Sequence, residues 1–121
     1  MGMYKFQAML DAVEASTTGG CAGVAGFRRV GVQFKAANIT SGNGEFKLQG
    51  TVNGTDWTFL NFIDHLTTTA TGTLTRLASK TLSANGTALV WLDEGLSLRA
   101  IRASITVTTD GSYGVSALIS E

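Results

Sequence analysis

In the stretch Gly44-Glu-Phe-Lys-Leu-Gln-Gly-Thr-Val-Asn-Gly-Thr-Asp-Trp57, Phe46, Leu48 and Val52 fall on one parity and Glu45, Lys47, Gln49 and Thr51 on the other. A period of two marks a strand with one buried face. It runs into Asn53-Gly54, the strongest short-range hairpin signal, because a type I′ turn needs positive φ at both central residues. The chain resumes with Trp57 and Phe59 on one parity. A strand, a tight turn and a second strand point to an antiparallel β-domain and to no particular chemistry.

Alternation recurs along the chain. Tyr4, Phe6, Ala8 and Leu10 alternate with Lys5, Gln7, Met9 and Asp11, which suits a first strand, with a short helix over 7–15 as the competing reading. Residues 16–26 are small and Gly-rich and read as a loose connection; Val30, Val32, Phe34 and Ala36 then share one face. A single edge-like strand is expected within the Thr-rich region at 73–82. Ile101, Ile105 and Val107 make the cleanest strand of the second half, and Asp110-Gly111 closes a last hairpin onto Tyr113, Val115, Ala117 and Ile119. About eight short strands at such spacings are the pattern of a sandwich or barrel. The expected fold is all-β, a two-sheet antiparallel β-sandwich of jelly-roll type. Its core should hold Val30, Val32, Phe34, Phe46, Leu48, Val52, Trp57, Ile101, Ile105, Val107, Val115 and Ile119.

The 121 residues suit one domain, 1–121. Charged residues make up 15%, well below the usual quarter, and the formal net charge is zero. A surface without a basic footprint argues against nucleic acid as a partner. It also removes the repulsion that keeps small proteins apart, which favours self-association. The absence of Pro and the presence of only four Lys leave sheet edges unguarded, so another copy is the simplest cover. No apolar run reaches the length of roughly 18 residues that spans a bilayer, and Met-Gly-Met-Tyr-Lys-Phe is not a secretory signal. The chain therefore reads as made in a reducing cytoplasm, with no membrane partner.

Candidate chemical groups fall away in turn. Cys21 is single, which excludes an internal disulfide, and it reads as a small, partly buried residue. His65 has Asp64 beside it, but strand neighbours point to opposite faces, so it reads as a surface histidine. Asp93-Glu94 forms the only adjacent carboxylate pair, in a turn, with nothing to place it across a glycosidase cleft. Gly19-Gly20-Cys21-Ala22-Gly23 lacks the context of a phosphate loop. Trp57 and Trp91 read as core residues rather than sugar platforms. Arg102 lies on the outward parity, whereas Arg99 shares the inward parity of Ile101 and belongs at a strand end or bulge. No catalytic, metal or cofactor residue is expected, and the chain does not read as an enzyme.

Several segments occur together in order: Leu10-Asp-Ala-Val-Glu-Ala-Ser16, Gly26-Phe-Arg-Arg-Val-Gly-Val-Gln-Phe34, the hairpin through Trp57, and Leu98-Arg-Ala-Ile-Arg-Ala-Ser-Ile105 through Gly114-Val-Ser-Ala-Leu-Ile119. The set resembles the small β-sandwich virion proteins of tailed bacteriophages, which include capsid decoration (cement) proteins and related head or tail accessory proteins. Thr51 stands where that group often has Ser, and Asn53 where it often has Asp. The resemblance implies a structural protein on the virion capsid surface, bound to the major capsid protein, with neither activity nor cofactor. Together with the unguarded edges it points to a homo-oligomer, a trimer being favoured. A phage tail or neck accessory protein is the alternative. The hairpin is also similar to that of discoidin-like and other carbohydrate-binding sandwiches, which makes a sugar-binding module the third reading. Residues 1–6, rich in Met and aromatics, suit an N-terminal arm ordered on a neighbour through Tyr4 and Phe6. Leu66 and Thr69, in a stretch with little to bury, suit an exposed loop or an edge added to a neighbour.

Overall fold

The computed structural model describes residues 4–64, 75–93 and 97–121. Within them the chain forms eleven strands: β1 (Tyr4–Val13), β2 (Thr17–Gly23), β3 (Arg29–Ala37), β4 (Asn43–Thr51), β5 (Thr58–Leu60), β6 (Phe62–Asp64), β7 (Thr75–Leu77), β8 (Lys80–Leu82), β9 (Gly86–Trp91), β10 (Ala100–Thr108) and β11 (Ser112–Ser120). Sheet A has the order β1-β11-β3-β9-β6-β7, and sheet B the order β2-β10-β4-β5, with β8 also paired to β4. All pairings are antiparallel. Without the short β6, β7 and β8, the order β1-β11-β3-β9 faces β2-β10-β4-β5. These are two interlocked Greek keys, the jelly-roll arrangement.

The core lies between the sheets and is built around aromatics. Phe34 of β3 stacks on Phe46 of β4 with ring centroids 4.5 Å apart, and Phe62 and Tyr113 meet these two edge-on. Val32, Leu48, Ile101, Ile105, Val115 and Ile119 fill the space around them. Nine of the twelve expected core residues are buried, and Val107 packs at the margin. Val52 is 71% exposed instead, while Thr51 is buried at 2%. The alternation ends where β4 ends, at Thr51, whose hydroxyl donates to Asn53 Oδ1 and accepts from Gly54 N. Trp57 is half-buried on the outer side of sheet B, not in the core.

The Asn53-Gly54 turn is also different from expectation. Gly54 has positive φ but Asn53 does not, so a type I′ turn is not formed. Six residues, 52–57, connect β4 to β5. Asn53 Oδ1 accepts from Thr55 N and Asp56 N, a side-chain cap that replaces the two-residue turn. Residues 16–26, expected as a loose connection, contain β2, and Ala22 and Val24 reach the core. Where one strand is expected within 73–82, the described residues form β7 on sheet A and β8 on sheet B.

Asp110-Gly111 is not a hairpin turn either, because β10 belongs to sheet B and β11 to sheet A. The crossover is fixed by Asp110, whose carboxylate accepts from the backbone N–H groups of Thr40, Ser41 and Gly42. Tyr113 Oη donates to the Asp110 carbonyl at 2.8 Å. One acid and one tyrosine thus tie the β3–β4 loop to the β10–β11 crossover.

Sheet edges are partly blunted by irregularity. β1 carries register shifts around Ala8, Leu10 and Val13, and β2 is shifted against β10 between Ile101 and Ala103. A Cβ on Gly20 would meet the Met9 carbonyl oxygen at 2.0 Å, so only glycine lets β2 close against the bulge of β1. Of residues 1–6, expected as an arm, 1–3 lie outside the described residues and 4–6 are hydrogen-bonded into sheet A, starting at Tyr4↔Ser120.

Candidate interaction surface

The outer faces of the two sheets differ in chemistry. On sheet B, outward side chains satisfy one another. The Arg102 guanidinium lies 4.3 Å over the Trp57 ring and donates through Nε to Gln49, Lys47 sits over Phe59, and Thr18 bonds Ser104. Arg99, expected at a strand end, directly precedes β10 and is exposed. On sheet A exposed apolar side chains gather in the middle of the outer face, with Arg29 and Lys35 toward the ends of β3.

Phe6 pairs with Leu118, Leu118 with Gly31, and Gly31 with Trp91. Directly opposed residues share a face, so these four form one row across β1, β11, β3 and β9. The next row is Ala8, Ser116, Gln33 and Leu89. Phe6 is 68% exposed, Leu118 51% and Leu89 49%. Gly31 has no side chain, which leaves a cleft of about 420 Å³ walled by Phe6, Leu118, Leu89 and Trp91, with Gln33 and Ser116 as its polar groups. A Cβ at Gly31 would meet nothing nearer than the Leu118 carbonyl oxygen at 3.9 Å. The hole is therefore real space above an unstrained strand position.

Of the residues expected to contact a partner, Tyr4 and Phe6 both point outward on this face. Leu66 and Thr69 lie outside the described residues, as do His65 and Glu94. Asp64 is fully buried and holds Lys80, and Asp93 pairs with Arg76 through two hydrogen bonds. Cys21 is exposed on β2 rather than partly buried. Among the described residues no three His, Cys, Asp or Glu side chains gather as metal ligands, and no helix is long and apolar enough to cross a membrane. The parts that sequence reasoning missed are Gly31, Leu89 and Leu118. Leu118 carried a signal: it stands on the outward parity between Ser116 and Ser120, where an apolar side chain has no core to fill.

No protein-family model matches the chain, and no curated protein sequence matches it. Solved structures share its fold. The SPBc2 prophage-derived protein YomS superposes with a TM-score of 0.74 at 16% identity, over 100% of this chain and 96% of that one. The PBSX exported protein XepA superposes with a TM-score of 0.75 at 12% identity, over 99% of this chain and 38% of XepA. The scaffold is thus shared with a prophage-derived protein and with part of the exported protein XepA.

Proposed function

We propose that the chain is a structural component of a phage particle, a decoration (cement) protein that sits on the outer surface of the head and contacts the major capsid protein. The observation that carries this reading is the apolar outer face of sheet A, on a scaffold matched nearly end to end by a prophage-derived protein. A monomer in water gains nothing from exposing Phe6, Leu118 and Leu89 side by side, whereas a subunit of an assembly does. The carboxylates support binding over catalysis, since Asp64, Asp93 and Asp110 are engaged by Lys80, Arg76 and the 40–42 backbone. Sugar binding is less well supported. The Trp57 ring is covered by Arg102, and the cleft beside Trp91 offers few hydrogen-bonding groups.

Sedimentation tests the reading. The purified chain is incubated with empty heads and, separately, with isolated tails, and bound copies are counted. Stoichiometric pelleting with heads is the expected result. Pelleting with tails alone would move the protein to the tail or neck, and pelleting with neither would overturn a particle role.

A further inference from the structure

We propose that the outer face of sheet A is covered by a second copy of this chain, related by a two-fold axis that runs parallel to the strands and passes between β11 and β3. This deepens the reading of the face as an assembly surface; it does not depend on a phage head being the larger body.

The two rows make the case, because each is complementary to its own reverse. A two-fold axis between β11 and β3 lays β1 over β9 of the second copy and β11 over β3. Leu118 then enters the cleft above Gly31 of the second copy, and Phe6 meets the Trp91 ring. In the next row the small Ala8 faces the large Leu89, and the Ser116 hydroxyl faces the Gln33 amide. Every protrusion meets a recess or a flat ring, and the one polar position in the row meets another. Such self-complementarity is what an isologous contact requires.

Charge allows the same placement. The cations at the ends of β3 are Arg29 and Lys35, paired within the sheet to Ser120 and Gly114. The axis therefore sets Arg29 against Ser120 of the second copy and Lys35 against Gly114, so like charges do not meet. The chain's zero net charge leaves no long-range repulsion to overcome.

The area suffices. Three strands of about 30 Å paired length and the shorter β9 of about 20 Å, at about 4.8 Å spacing, present roughly 530 Å² of projected face per copy, before side-chain relief is counted. Two copies bury roughly 1,050 Å² or more, which reaches the threshold for a specific interface. Two sheets packed this way form an ordinary aligned face-to-face contact. The arrangement is a pair, not the three-fold assembly that the family resemblance favours.

Sedimentation equilibrium of the purified chain, without phage particles, tests this. The wild type is expected at the mass of two chains. Leu118→Asp and Gly31→Lys should each weaken pairing by at least about 100-fold, because each spoils the same contact twice. Mixing the two variants should restore a heterodimer, since it sets one Asp against one Lys and leaves the other contact native. A monomeric wild type, a ring-sized mass, or a dimer indifferent to both variants would overturn the proposal. Loss of pairing in both variants without recovery on mixing would overturn the two-fold placement. If Leu118→Asp lowers thermal stability, Ser116→Arg, set against Gln33 of the second copy, takes its place under the same criteria.

Discussion

The Asp64 carboxylate, with no exposed surface, receives Lys80 Nζ at 2.8 Å across the space between the two sheets. Asp64 ends β6 on sheet A, and Lys80 pairs with Phe46 on sheet B, which sets its side chain inward. Removing the amine takes the cation away from a buried carboxylate. Lys80→Ala is expected to lower stability by about 3–5 kcal/mol, a large share of what a small domain has. Urea unfolding checks it. Replacing both partners together, Asp64→Leu with Lys80→Met, should cost far less than either single change.

Asp110 acts on backbone rather than on a side chain. Its carboxylate holds three successive N–H groups at 40–42. Asp110→Ala should destabilise by about 2 kcal/mol, and Asp110→Asn, which keeps an acceptor oxygen, by less. The comparison of the two unfolding midpoints separates the loop anchor from a general loss of volume.

Burial pushes the Tyr113 phenol above its usual 10.0, and the Asp110 carboxylate adds to the shift. The folded state therefore holds the phenolic proton more tightly than the unfolded chain does. That stabilisation is complete below pH 10 and is lost as pH rises through the raised value. Tyr113→Phe should lose about 1 kcal/mol at neutral pH with its hydrogen bond. Its stability should then fall less steeply than the wild type's above pH 10, in urea titrations run from neutral to alkaline pH.

Core variants should divide by the direction of the volume change. Ile105, 1% exposed, should cost roughly 2–5 kcal/mol on replacement by Ala. Gly44→Ala adds a carbon 2.5 Å from the Tyr113 ring and 2.9 Å from Ile105 Cδ1, and should cost about 1–3 kcal/mol by overpacking. Thermal unfolding of the double variant Gly44→Ala/Ile105→Ala should fall short of the sum, because the cavity relieves the clash.

Deleting residues 2–6 removes the first rungs of β1 against β11, including Tyr4↔Ser120 and Phe6↔Leu118. The isolated subunit should lose about 1–2 kcal/mol, a fall of several degrees in the midpoint of thermal unfolding. An unchanged midpoint would return these residues to the role of an arm that is ordered on a neighbour.

Parity made the core legible. In the central strands, as through Val32 and Phe34 or Ile101 and Ile105, the inward residues were the expected ones, whereas in the edge strand β1 the alternating Tyr4 and Phe6 face outward. Reading failed where short polar side chains took over from the backbone. Asn53 converted an apparent two-residue turn into a longer capped loop, and Val52 was carried outward with it. Asp110-Gly111 looks like a hairpin because turn chemistry is local, whereas the sheet that the next strand joins is not. The strand count rose above eight because β2, built of Thr, Gly, Cys and Ala, carries no apolar alternation, and because two expected strands divide into the three-residue pairs β5 and β6, and β7 and β8. Of the interaction surface, Tyr4 and Phe6 could be singled out by composition. Gly31 could not, because a missing side chain marks a hole only once its neighbours across the sheet are known.

The pairing of β1 with β11 has a consequence for how the protein is made. Tyr4 opens the first strand and Ser120 closes the last, yet they are partners. Of the eleven strands β1 is made first and β11 last. Strand β1 therefore waits through the making of all the others without β11, its one neighbour in sheet A among the described residues, its outward aromatics in water. The face that carries Phe6 and Leu118 is assembled only once β11 has been made, so a half-made chain cannot compete for the partner of a finished one.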